Sequence, residues 1–199
     1  MPANTAPGTV TEGTMQSIST FYRGTRFRSR LEASWVAHFD KIALPWLYEP
    51  EGFTLDDGTN YLPDFYLPTA RAWVEVKGAH NERIDKVEKF AEQLWRESEA
   101  ADTYHRDAPM VLLLTAPGND LSLSEIWAPW PVNILGPGKA GSAAFAVCDH
   151  CHRTTAVALW QRVCRNCGVE REEGLDWMES AHDFTGGRYQ FRYLRSNWK

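Results

Sequence analysis

An α/β core carrying a small metal-binding appendage is the fold class the sequence predicts, and three observations predict it. Two segments, 27–42 and 82–100, place apolar residues every three or four positions, as helices with one buried face do. Short apolar runs broken by turn residues lie between and after them, which is the pattern of strands. All four cysteines come late, in two Cys-x2-Cys pairs.

The first stretch, MPANTAPGTVTEGTMQSIST, holds Thr, Gly and Pro but no Lys, no Arg and no continuous apolar segment. It is expected to be a disordered tail over 1–20 and not a secretory signal. Phe27, Leu31, Trp35, Phe39 and Ile42 form the first helical stripe, with Thr25 as the expected N-cap and Pro45 as the stop. WLYEP and FTLDDGTNYLPDFYL read as short strands, with DDGTN as the clearest turn, so a β-meander follows the helix. PTAR reverses the chain into AWVEVKG, where Val74 and Val76 face one side and Trp73, Glu75 and Lys77 the other.

In 82–100, Ile84, Val87, Phe90, Ala91 and Leu94 share a face, which predicts a surface helix packed on the sheet. MVLLLT reads as a buried strand, and WAPWPVNILG supplies another. LGPGKAGSA reads as a linker. It divides a core at 21–140 from a cysteine-bearing module with a basic C-terminal segment at 145–199.

With 199 residues, 43% of them hydrophobic, the chain has enough apolar surface for a real core. No apolar run approaches the roughly 20 residues of a membrane helix, so the expectation is a cytoplasmic protein with no membrane partner. A net charge of −5 argues against nucleic-acid binding by overall charge. Local charge points the other way. YRGTRFRSR holds four arginines and no acid, and GGRYQFRYLRSNWK interleaves three arginines and a lysine with aromatics, giving two candidate phosphate-facing patches.

Cys148, Cys151, Cys164 and Cys167 form Cys-x2-Cys, a twelve-residue gap, and Cys-x2-Cys. Two such knuckles supply four thiolates that close tetrahedrally on zinc. A closed four-thiolate site leaves no coordination position for substrate, so the zinc is expected to be structural. TTAVALWQRV between the pairs fits the hairpin of a zinc ribbon. His150 and His152 flank the first pair, and with four thiols present they are expected to face solvent or phosphate.

Asp64, Glu75 and Lys77 interrupt apolar runs, where a charge is costly unless it is paired or holds a metal. Two carboxylates on neighbouring strands repel unless a cation lies between them, and Mg²⁺ takes such oxygen ligands together with a substrate phosphate. Lys77, two residues after Glu75, points to the same face and is placed to orient a metal-bound water.

Pro63-Asp64, ten residues, then Glu75-Val76-Lys77 resembles the PD-(D/E)xK nuclease superfamily. YRGTRFRSRLEASW, YEPEGF, YLPDFYLP and WVEVKG together are similar to its small endonuclease-like proteins from phages and mobile elements, over roughly 21 to 80. The resemblance implies a restriction-endonuclease-like core in which Asp64, Glu75 and Glu32 bind catalytic Mg²⁺ (or Mn²⁺) and Lys77 is the catalytic lysine. It implies that the backbone carbonyl of Val76 is a further ligand. Glu49 and Glu51 are extra acids near the site. Arg28 and Arg30, close to Glu32 in sequence, are expected to bind flanking phosphates of the substrate. The expected activity is endonucleolytic hydrolysis of DNA in the cytoplasm of a bacterial host. The alternative is an inert nuclease-fold module that binds nucleic acid or assembles through the zinc ribbon.

Overall fold

The computed structural model describes residues 17–78, 84–101, 109–115, 132–136, 139–148, 150–158 and 164–169. β1 (Thr20–Tyr22) and β2 (Thr25–Phe27) pair as a hairpin, with Tyr22 opposite Thr25. The two loop residues, Arg23 (φ 47°) and Gly24 (φ 81°), take the left-handed conformations that a two-residue turn between twisted strands requires. This corrects the expected helix start. Phe27 lies in a strand and α1 runs Arg30–Lys41, capped by Ser29, whose Oγ accepts from the Glu32 N–H at 3.1 Å. Phe27 matched the helical spacing because β2 and α1 feed one core, in which Phe27 is fully buried. Thr20 stands in β1, at the end of the expected tail, and residues 1–16 lie outside the described residues.

After α1 come β3 (Leu47–Tyr48), the small hairpin β4 (Phe53–Thr54) and β5 (Asn60–Tyr61), β6 (Phe65–Leu67) and β7 (Ala72–Lys77). The DDGTN turn forms as expected, with Gly58 at φ 79° and Leu55 N–H donating to Thr59 O at 2.8 Å. Helix α2 (Asp85–Ala100) then crosses from β7 to β8 (Met110–Thr115), the parallel pair in the main sheet. β9 (Val132–Gly136), β10 (Lys139–Val147) and β11 (Thr154–Ala158) complete the order β11-β10-β9-β8-β7-β6-β3.

The sheet is a middle layer. Val74, Leu112 and Leu114 pack with Trp35, Val36 and Phe39 of α1 in one apolar cluster. Trp73, Val111 and Leu113 pack with Val87, Phe90 and Leu94 of α2 in another. Strand alternation therefore sends successive side chains to opposite helices, and β8 is buried along its whole length between them.

One expectation about the C-terminal part is corrected. The stretch read as a linker lies largely in β9 and β10, which pair from Lys139–Gly136 to Ser142–Asn133, so the sheet runs across it. β11, the first half of the expected ribbon hairpin, pairs with β10 from Val147–Thr154 to Ala143–Ala158, on either side of the first cysteine pair. The second half of that expected hairpin, 159–163, lies outside the described residues. Among the described residues no helix is long and apolar enough to cross a membrane.

Candidate active site and four-cysteine cluster

Three elements bring the predicted acids together. Glu32 enters from the first turn of α1, Asp64 from the bend before β6, and Glu75 from the middle of β7. All three are buried, at 6%, 4% and 8% exposure, and burial of a carboxylate demands partners. Each has them.

Asp64 Oδ2 accepts from the Val76 N–H at 2.7 Å, which ties the bend to β7. Its Oδ1 accepts from Arg28 Nη2, also at 2.7 Å. The same nitrogen lies 2.8 Å from Glu49 Oε1. Glu49 is delivered there by the β3–β6 pairing, extended by its own N–H donating to Asp64 O at 2.9 Å. Glu32 Oε2 accepts from the Arg28 N–H at 3.1 Å and from the Tyr48 hydroxyl at 3.0 Å. Glu75 is held on both oxygens, by the Tyr61 hydroxyl at 2.7 Å and by Lys77 Nζ at 2.7 Å. Tyr61 reaches it because α2 anchors the β4–β5 hairpin, through Lys89–Asp57 at 2.7 Å and an Arg96–Asp56 ion pair.

The electrostatics record a surplus of negative charge. Burial, then the charges of Glu75 and Glu32, push the Asp64 carboxyl up to about 8, although Val76 N–H and Arg28 pull it down. Burial works against the Arg28 charge, but Asp64, Glu49 and Glu32 outweigh it and raise its pKa. Burial and then Glu32 push the Tyr48 hydroxyl up to about 12; burial and then Glu75 raise Tyr61. Both phenols therefore stay protonated and act as donors to the acids.

Arg28 pairs with Asp64 and Glu49 while its side chain stays 55% exposed. Arg30 is the first residue of α1 and half-buried. In the same basic stretch Arg23 pairs with Asp40 at 3.2 Å and Arg26 donates to Ser19 Oγ at 2.8 Å. The C-terminal basic patch lies outside the described residues. Reasoning from the sequence missed Tyr48 and Tyr61. Tyr61 stands three residues before Asp64 in the same quoted motif. The Ser29-x-x-Glu32 spacing of a capping box was the available signal for where α1 begins.

The four cysteines do gather. Cys148 and Cys167 sulfurs are 3.8 Å apart and those of Cys151 and Cys164 3.9 Å, with all four within 4.8 Å of one another. A tetrahedron with Zn–S bonds of about 2.3 Å has S–S edges of roughly 3.8 Å, so the cluster fits a structural metal such as zinc. His152 (φ 54°) and Gly168 (φ 75°) follow the second cysteine of each pair in left-handed conformations. These close the turns in which His152 N–H donates to Cys148 O at 2.7 Å and Gly168 N–H to Cys164 O at 2.8 Å. Burial raises the Cys151 thiol, but Asn166 Nδ2, 3.3 Å from its Sγ, with the Arg153 backbone N–H and the Cys148 and Cys167 thiols, lowers it to about 7. Among the described residues this is the group of potential ligands that closes on one point. Glu32, Asp64 and Glu75 are near enough for Glu75 and Glu32 to act on Asp64 electrostatically, but they do not form such a group, and each is bound to protein donors.

No family model matches the chain, and no curated protein or solved structure is significantly similar to it.

Proposed function

We propose that the chain is a metal-dependent nuclease that hydrolyses phosphodiester bonds in DNA endonucleolytically, on a restriction-endonuclease-like core of the PD-(D/E)xK superfamily. One observation carries this reading: three buried acids from three separate elements lie within electrostatic reach of one another, with Arg28 paired to Asp64 and Lys77 to Glu75. The Asp64 carboxyl is raised by burial first and then by the charges of Glu75 and Glu32, and a divalent ion would favour its ionised form.

Asp64, Glu75 and Glu32 would hold Mg²⁺ or Mn²⁺ after Arg28 and Lys77 release the carboxylate oxygens. An ion held there would supply Lewis-acid polarisation of the scissile phosphate and acidification of a water. Lys77, freed from Glu75, orients that water and faces the charge developing on phosphorus. Arg28, freed from Asp64, meets a flanking phosphate, with Arg30 beside it. Tyr61 and Tyr48 hold Glu75 and Glu32 in place throughout.

A second reading has an observation in its favour. Asp64 and Glu75 already have every oxygen bonded to a protein donor, as in a centre that does no chemistry. The chain would then be an inert nuclease-fold module that binds nucleic acid or assembles through its cysteine-bearing part. A Mg²⁺-dependent cleavage panel on linear, nicked, branched and circular DNA separates the two. Cutting that Glu75→Ala abolishes while DNA binding persists supports the enzyme; binding without cutting by the unaltered chain selects the inert module.

A further inference from the structure

We infer that the four-cysteine cluster is a clamp on the β6–β7 hairpin, so that metal loading at the cysteines sets the order of the strands next to Asp64 and Glu75. This stands apart from the nuclease reading, because it concerns only how two parts of the chain hold each other.

The hairpin turns through 68–71, where Arg71 adopts a left-handed φ of 48°, a conformation that costs energy in a residue with a side chain. The turn is buried, with Thr69 at 5% and Ala70 at 0% exposure, so its carbonyls need donors from protein. The cysteine-bearing segment supplies them. Thr155 Oγ1 donates to Thr69 O at 3.0 Å, and Arg165 Nε donates to Ala70 O at 2.7 Å. In return Thr69 Oγ1 donates to Thr154 O at 2.7 Å. Thr154 Oγ1 donates to Ile42 O, the C-cap of α1, just before the left-handed Ala43 (φ 52°).

These donors owe their positions to the cluster. Arg165 sits between Cys164 and Cys167, and Thr154 and Thr155 lead out of the turn made by Cys148 and Cys151. A four-thiolate knuckle of this size takes its shape from the metal that closes it. Arg165 is only 3% exposed, and a guanidinium stays that deep only while its bonds hold it there. Metal loss therefore withdraws donors from the buried carbonyls of Thr69 and Ala70 and from the half-buried carbonyl of Ile42 together. The turn and the end of α1 loosen, and with them the register that brings Val76 N–H to Asp64.

The test uses the full chain and no DNA. Amide hydrogen exchange is read at Ala70, Arg71, Val74 and Val76, with Phe90 to Leu94 of α2 as internal reference, before and after a chelator removes zinc. Exchange in the hairpin should rise about tenfold or more relative to α2. Arg165→Ala keeps all four cysteines. It should still bind zinc stoichiometrically, yet show the faster hairpin exchange and melt roughly 3–10 °C lower. Thr155→Val, which removes one hydroxyl at nearly constant volume, should move the same amides to a smaller degree and serves if Arg165→Ala does not fold. Hairpin exchange unchanged by zinc removal, or unchanged in the zinc-loaded variants, overturns the clamp.

Discussion

Arg28 Nη2 stands 2.7 Å from Asp64 Oδ1 and 2.8 Å from Glu49 Oε1, so a single guanidinium nitrogen bridges two acids at the candidate site. A resident cation of this kind competes with a divalent ion for the same oxygens. Arg28→Gln should therefore bind Mn²⁺ more tightly, by roughly tenfold, as read by electron paramagnetic resonance of the free ion. The metal-free variant should also be less stable, because Asp64, Glu49 and Glu32 lose their shared counter-charge, and added Mn²⁺ should restore the loss. If the unaltered chain binds Mn²⁺ but Arg28→Gln binds it no better, Arg28 does not hold the ion's place.

The Tyr61 hydroxyl and Lys77 amine grip opposite oxygens of Glu75, and they should fail differently. Glu75→Ala removes a proposed metal ligand and should lower cleavage by about 10³-fold or more. Tyr61→Phe leaves the acid but frees its orientation, a loss that typically costs about 10–100-fold in metal affinity or rate. A Mg²⁺ titration of cleavage distinguishes them: extra metal should partly rescue Tyr61→Phe and leave Glu75→Ala inactive. Equal, unrescued losses would mean that Tyr61 does more than orient Glu75.

Parts of this arrangement were legible in the sequence for physical reasons that single residues make plain. α2 and β7 follow from periodicity because each buries one face or alternates two, and Val87, Phe90, Leu94, Trp73 and Val74 lie where the pattern put them. Asp64 and Glu75 were legible because charge inside an apolar run needs an explanation, whereas Glu32 was reached only through the resemblance to the nuclease superfamily. Their tyrosines were not. Tyr48 and Tyr61 look like ordinary strand aromatics until the fold brings each hydroxyl to a carboxylate. The start of α1 was misplaced because periodicity cannot tell which element owns Phe27. The attachment of the cysteine-bearing segment was invisible for another reason. It rests on threonine hydroxyls and Arg165 meeting carbonyls 85 to 112 positions away, and such bonds leave no repeat in the chain.

His38 is expected to make the fold acid-sensitive. Its ring packs edge-on to Trp35 at 5.8 Å and beside Phe145 at 6.4 Å, and burial, aided by Lys41, lowers its pKa to about 4. An unfolded histidine takes its proton near 6.5, whereas the folded one resists until about 4. The unfolded state thus binds more protons in between, and stability present above about pH 6.5 is lost as pH falls toward 4. His38→Asn should remove that share of the slope. Acid also strips zinc from thiolates, so the informative quantity is the difference in melting temperature between the two proteins across pH 4 to 7. A constant difference would show that His38 does not titrate as its burial demands.

Asp64 should act with the opposite sign. Its carboxyl ionises near 3.9 when unfolded but only at about 8 in the folded, metal-free chain, because burial and the charges of Glu75 and Glu32 oppose a third negative charge. Between those values the folded state keeps a proton that the unfolded state has released. Its stabilising contribution is complete below about pH 4 and is lost as pH rises through about 8. Asp64→Asn, which cannot ionise, should escape this loss. With zinc kept on the cysteines and no other divalent ion added, its melting temperature relative to the unaltered chain should climb from pH 4 to 8. Mn²⁺ should then reverse the ranking by stabilising the unaltered chain alone, since only that chain offers a charged ligand at this position. A flat difference would show that Asp64 does not hold its proton as burial demands, and a ranking that Mn²⁺ leaves unreversed would mean that no divalent ion is held at Asp64, as the inert reading expects.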